Sequence, residues 1–287
     1  MNRAAWQRWR AALPPLFTER VSRDPDETAE AARRRRRVVA GTSLAGAGLL
    51  GLSLSTRPGS QAFYGLTLGT AATWTVGSLA SGRLHRGQMP PGHRLRRPTV
   101  VPILTGAGAF GVFYGCALVC RRIPVLDRAI GSVLRYAEHG SGPLVLATTL
   151  ANGAAEEVFF RGALYSAIDS GAIDIGRIAS GSIFSGPTGR PRPVLTSTAV
   201  YMLATVATRN PALVLASAAM GTLFGLQRRA SGGIQAPLLT HLTWSTLMLR
   251  YLPPLFRSTV RRMDRQPGVS TKVWSPASNR STSESST

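Results

Sequence analysis

The chain has 287 residues, 44% of them hydrophobic and 16% charged, with a formal net charge of +21 and a mean hydropathy of +0.05. Basic charge on this scale suits a nucleic-acid binder. The arginines, however, sit at the ends of long apolar runs, where they anchor helices against anionic headgroups, and this segregation argues against a nucleic-acid partner and for a lipid bilayer. The two cysteines, Cys116 and Cys120, lie four residues apart in one apolar run; geometry opposes a disulfide, two ligands make no zinc site, and both read as packing residues.

Residues 1–37 form a basic N-terminal segment. Trp6, Trp9, Leu13 and Leu16 share a helical face, with Arg3, Arg8 and Arg10 elsewhere, which suits an interfacial helix as well as a disordered basic arm. The run Arg33 to Arg37 argues for a cytoplasmic N-terminus in the cell membrane, and the basic loop holding Arg83, Arg86, Arg94, Arg96 and Arg97 agrees if two crossings lie between them. No cleavable signal is evident, so the first apolar run reads as an anchor that stays attached.

Seven crossings are expected, at residues 38–54, 63–79, 100–119, 144–167, 194–207, 213–226 and 234–252. Glycines inside them, such as Gly46, Gly51 and Gly106, suit close helix packing in lipid. The stretch 123–136 mixes apolar residues with Asp127, Arg128 and Arg135 and reads as an interfacial helix or part of an eighth crossing. Residues 181–193, rich in Gly, Ser and Pro, read as a loop, and 253–287 as a polar, disordered tail. The expected fold is an all-α polytopic transmembrane bundle of seven to eight crossings. N-terminal helices occupy 38–143, and a second membrane unit at 144–252 carries the chemistry.

That unit holds Asn152-Gly-Ala-Ala-Glu156-Glu157-Val-Phe-Phe-Arg161-Gly162, two adjacent carboxylates and a guanidinium inside one apolar helix. A charge at mid-membrane costs about 2.5–3.5 kcal/mol on insertion scales, so such groups face a protein interior and are functional by default. Glu157 and Arg161, at i and i+4, stack as a structural ion pair; Glu156 points about 100° away and is the natural general base or acid for a bound water. The bland alternative is a cluster that staples helices or lines a transport path. The second polar feature is Pro237-Leu-Leu-Thr240-His241-Leu-Thr-Trp244-Ser245, whose histidine is the only one inside a crossing and shares a face with Ser245.

Together these pieces resemble the membrane proteases related to the type II CAAX prenyl endopeptidases and the bacteriocin-processing and immunity proteins, often called the CPBP or Abi family. The resemblance runs over about residues 144–252. It is carried by Glu156-Glu157-x-x-x-Arg161-Gly162, by Met220-Gly-Thr-Leu-Phe-Gly-Leu, by Ala230-Ser-Gly-Gly, and by Ala236-Pro-Leu-Leu-Thr-His241. It implies a helical membrane fold and peptide-bond cleavage at a recessed site. Glu156 would activate water together with a middle-helix histidine, and His241 would polarise the scissile carbonyl or hold the oxyanion.

The sequence departs from that pattern twice: Tyr201-Met-Leu-Ala-Thr205 ends in threonine where the family has histidine, and Ser245 stands where it has Asn or Asp. Tyr201 and Thr205 are expected to line the site. Threonine is no base, and Glu156, Glu157 and one histidine fall short of ordinary zinc ligation, so no metal or other cofactor is expected. The simplest mechanism uses Glu156 as general base with His241 and Ser245 at the oxyanion, on a peptide or membrane-protein substrate. Two rivals stand beside this endopeptidase: a noncatalytic relative acting as a membrane binding or immunity protein, and a small transporter.

Overall fold

The computed structural model describes residues 28–82, 99–170 and 193–265. The N-terminal face of Trp6, Trp9, Leu13 and Leu16, the basic loop at 83–97 and nearly all of the 181–193 loop lie outside the described residues. Those described are all helical, with no strand among them.

Helix α1, Ala29–Ser53, opens at Thr28, whose hydroxyl accepts the Ala31 N–H, and α2, Gln61–Ala80, opens at Ser60, which accepts from Phe63 N. The arginine run 33–37 therefore lies within the first turns of α1, not in a segment before it. Next come α3 (Val100–Cys120), α4 (Pro124–Glu138) and α5 (Gly142–Glu156), the last continuing without a break into a π-helical segment, Glu157–Leu164, and the short α6, Tyr165–Asp169. Then follow α7 (Pro193–Val206), α8 (Pro211–Ser231), α9 (Gln235–Tyr251) and α10 (Pro253–Arg265). Asn210 caps α8 by accepting from Ala212 N and Leu213 N, and Gly232, at φ 66°, ends it in the left-handed conformation that favours glycine.

The helices follow the expected apolar runs closely, with two corrections. The expected continuous α-helix at 144–167 widens into π geometry at Glu157. The tail expected from 253 is helical as far as Arg265: α10 buries Phe256, Thr259 and Val260 against α4. The undecided 123–136 stretch is α4, an amphipathic helix of its own.

Long-range hydrogen bonds give the direction of each segment. Arg35 Nε donates to Ser81 O, joining the start of α1 to the end of α2. At the opposite end, the Tyr136 hydroxyl shares its hydrogen between Leu54 O and Thr56 O, each at 2.7 Å, and the Asn210 side chain donates to Ala129 O and Ser132 Oγ. Burial pushes the Tyr136 phenol up, which keeps it a donor. Among the described residues, α1, α2, α3, the α5-to-α6 run, α7, α8 and α9 thus alternate between two ends, while α4 and α10 lie together across one of them. Asp127 accepts from Thr259, and Arg135 and His139 both reach Asp264. Arg121, Arg122, Arg128, Arg257 and Arg261 gather at that end, opposite Arg33 to Arg37. The basic run on which a cytoplasmic N-terminus is expected therefore has a second group of arginines at the far end among the described residues.

Among the described residues, α3 is the helix long and apolar enough to cross a bilayer, and α7 is apolar but shorter. The seven to eight crossings expected from sequence are reduced by this measure because α1 carries five arginines and the other helices are short or rich in Gly, Ser and Thr. The surface is nonetheless apolar: Leu44, Val76, Leu104, Val112, Leu203 and Leu215 are all more than 60% exposed, on five different helices. Inside lie Trp74, Phe159, Phe160 and Phe224 together with the charged residues.

Candidate active site

The site is built where α5 and the π segment meet α7, α8 and α9. Small residues bring these helices close enough. A Cβ on Gly106 of α3 would stand 2.7 Å from Thr240 O, and one on Gly225 of α8 would stand 2.9 Å from Val194 of α7, so both glycines permit approaches no larger residue allows. Thr240 then ties three helices together, accepting from Gln227 Nε2 at 2.8 Å and donating to Pro102 O at 3.0 Å. This bonding seats its neighbour His241 inside the bundle.

Glu157 is fully buried. Its Oε1 accepts from Arg161 Nη1 at 3.1 Å and meets His241 Nδ1 at 2.8 Å, while Oε2 has no partner among the described residues. The Glu157–Arg161 pair forms as the spacing predicts, but it carries a third member. The expected mechanism sets His241 opposite Glu156 about the substrate; the hydrogen bond of its Nδ1 goes to Glu157, which faces α9. The Arg161 guanidinium is sandwiched between the rings of Tyr201 and Phe224, at 4.7 and 4.9 Å from their centres, and its carbonyl accepts from Arg228 Nε. Phe224 also stacks on the His241 ring at 4.8 Å. The imidazole is thus held by a carboxylate at Nδ1 and a ring on its face, with Nε2 turned to Gly153 of α5, where an added Cβ would lie 3.4 Å away.

Glu156 is buried and engaged at both oxygens. Asn152 Nδ2 donates to Oε1 at 2.7 Å and Tyr201 hydroxyl to Oε2 at 2.8 Å. Glu156 has no counter-charge on its own helix, as its spacing predicts, and is held instead by these two neutral donors. Asn152 stands at i−4, so the rule that paired Glu157 with Arg161 also predicts this contact, and the sequence reading overlooked it. Tyr201 comes from α7 and had no local signal.

Thr205 is buried one turn beyond Tyr201, its hydroxyl donating to Tyr201 O at 2.8 Å within its own helix. Ser245 is buried on the His241 face of α9, and no hydrogen bond joins it to Glu156, Glu157 or His241 among the described residues. No group of three His, Cys, Asp or Glu side chains among the described residues is placed to hold a metal ion.

The arrangement is two adjacent carboxylates in separate environments, one held by neutral donors and one shared between a guanidinium and an imidazole. It can hold and move a proton on the Glu156 side and offer a fixed ring nitrogen on the other. No curated protein and no solved structure matches the chain. Residues 139–247, which contain Glu156, Glu157, Arg161, Tyr201 and His241, match the family described as type II CAAX prenyl endopeptidase Rce1-like, and this part of the chain is similar to that family.

Proposed function

We propose that the chain is an intramembrane endopeptidase of the CAAX-protease kind, its seven alternating segments crossing the bilayer and its substrate a peptide or the segment of a membrane protein. The observation that carries this reading is the convergence of Glu156, Glu157, Arg161, Tyr201 and His241 from three separate helical runs into one buried cluster beneath an apolar surface. Intramembrane charge on this scale is retained for chemistry or transport, and the matched family favours chemistry.

In this mechanism a water attacks the scissile carbonyl carbon while Glu156 takes one of its protons. The carbonyl electron pair moves onto oxygen, where His241 is the donor through Nε2 while Nδ1 stays against Glu157. Collapse of the tetrahedral adduct breaks the C–N bond, and Glu156 returns the proton to the leaving amine. A positioned general base contributes about 10²- to 10⁴-fold and an oxyanion donor about 10²- to 10³-fold. Ser245, one turn from His241, is the second donor of the reading. Metal plays no part in these steps.

One observation favours a noncatalytic relative instead. Thr205 offers no base, its hydroxyl is spent on its own helix, and both Glu156 oxygens already have donors. The experiment is purified protein in liposomes with a library of prenylated and unprenylated peptides, products read by mass spectrometry. The endopeptidase reading expects cleavage that survives a zinc chelator and is lost in His241→Ala. Chelator-sensitive cleavage would overturn the metal-free mechanism, and an inert parent that gains activity on Thr205→His would establish the noncatalytic relative.

A further inference from the structure

We propose that Tyr201 is the positioning residue of the Glu156 carboxylate, its hydroxyl acting with the Asn152 amide as a two-sided clamp that fixes the plane of the carboxylate. The inference rests on the reading of Glu156 as the base. A carboxylate held at one oxygen by a donor on its own helix can still turn about its last torsion. The Asn152 contact is of that kind, one turn back on α5. The Tyr201 contact comes from α7 and grips the other oxygen, so rotation would break a bond at either end. A carboxylate has about four lone-pair sites, and two donors leave about two for a water.

Tyr201 is itself held well enough to serve. Its ring lies under the Arg161 guanidinium at 4.7 Å and beside Phe160 at 4.6 Å. The space it occupies depends on Gly221 of α8, where an added Cβ would come 3.3 Å from Tyr201 Cδ1. Arg161 is bonded to Glu157, and Glu157 to His241, so one ring sets the carboxylate on one side and braces the histidine's support on the other. Thr205 cannot substitute, because its hydroxyl is turned back onto the α7 backbone.

The test is Tyr201→Phe, which keeps the ring over Arg161 and removes one oxygen atom. Cleavage of a peptide substrate should lose about 10- to 100-fold in kcat, with KM within about twofold, since misplacing a catalytic group by about 1 Å can cost 10²-fold. A second readout needs no activity: an apolar carbodiimide should modify Glu156 several-fold faster in Tyr201→Phe than in the parent, measured by peptide mass spectrometry, because one oxygen has lost its donor. Gly221→Val, which displaces the ring without deleting the hydroxyl, should give the same pattern and stands in if Tyr201→Phe folds poorly. Unchanged kcat, or unchanged labelling of Glu156 in a folded variant, would overturn the clamp. If the parent cleaves nothing but labelling still accelerates, the clamp stands and the endopeptidase reading falls.

Discussion

At the scale of single residues, the site separates two neighbouring carboxylates by what each one meets. Glu157 is tied to Arg161 and His241, and neutralising either member of the Glu157–Arg161 pair strands a buried charge. Breaking such a pair costs about 3–5 kcal/mol in measured cases. Glu157→Gln and Arg161→Gln should therefore both lower folded yield and the melting temperature in detergent, and equal stability of all three proteins would contradict the assignment. The Glu157–Arg161 pair was legible because i and i+4 is a local rule. The His241–Glu157 bond was not, since it depends on how α9 docks against α5.

At the scale of elements, apolar runs mark the helices well because each must hide or satisfy its backbone whatever its surroundings. What the runs concealed was geometry within and beyond them. The π segment has no composition signal, and it falls at Glu157, where such segments mark functional sites. Helix α10 reads as tail because its average polarity is high; its buried Phe256 and Val260 stand four apart, in line with Leu252 just before it, and that periodicity is the readable sign. Glycine contacts supply a matched test of the packing. Gly106→Ala would drive a Cβ into the Thr240 carbonyl, and overpacking of this kind costs about 1–3 kcal/mol. Gly108, two residues on, has open space, so Gly108→Ala should be neutral or slightly stabilising. The melting temperatures of the two variants check this directly, and equal values would remove the close α3–α9 contact from the account.

At the scale of the whole molecule, the described segments form a bundle with apolar residues outside, charged residues inside and arginine at both ends. The odd number of alternating segments predicts that tags fused at the two ends of the chain report opposite sides of the membrane. Protease protection in sealed vesicles checks it; both tags on one side would require a different number of crossings. Carbonate washing should leave the protein in the membrane fraction. Which end is cytoplasmic could not be read from Arg33 to Arg37 alone, because folding gathers the separate arginines of α4 and α10 into a second basic end.

The central claim is that Glu156 activates the water that cleaves a peptide bond, and the most direct measurement is the single-turnover cleavage rate of liposome-embedded protein, parent against Glu156→Gln, with folding of both checked by melting temperature. The amide keeps the size and an acceptor oxygen but takes no proton, so the account predicts a loss of at least about 10²-fold without a matching loss of stability. A folded Glu156→Gln protein that cleaves at the parent rate would contradict it.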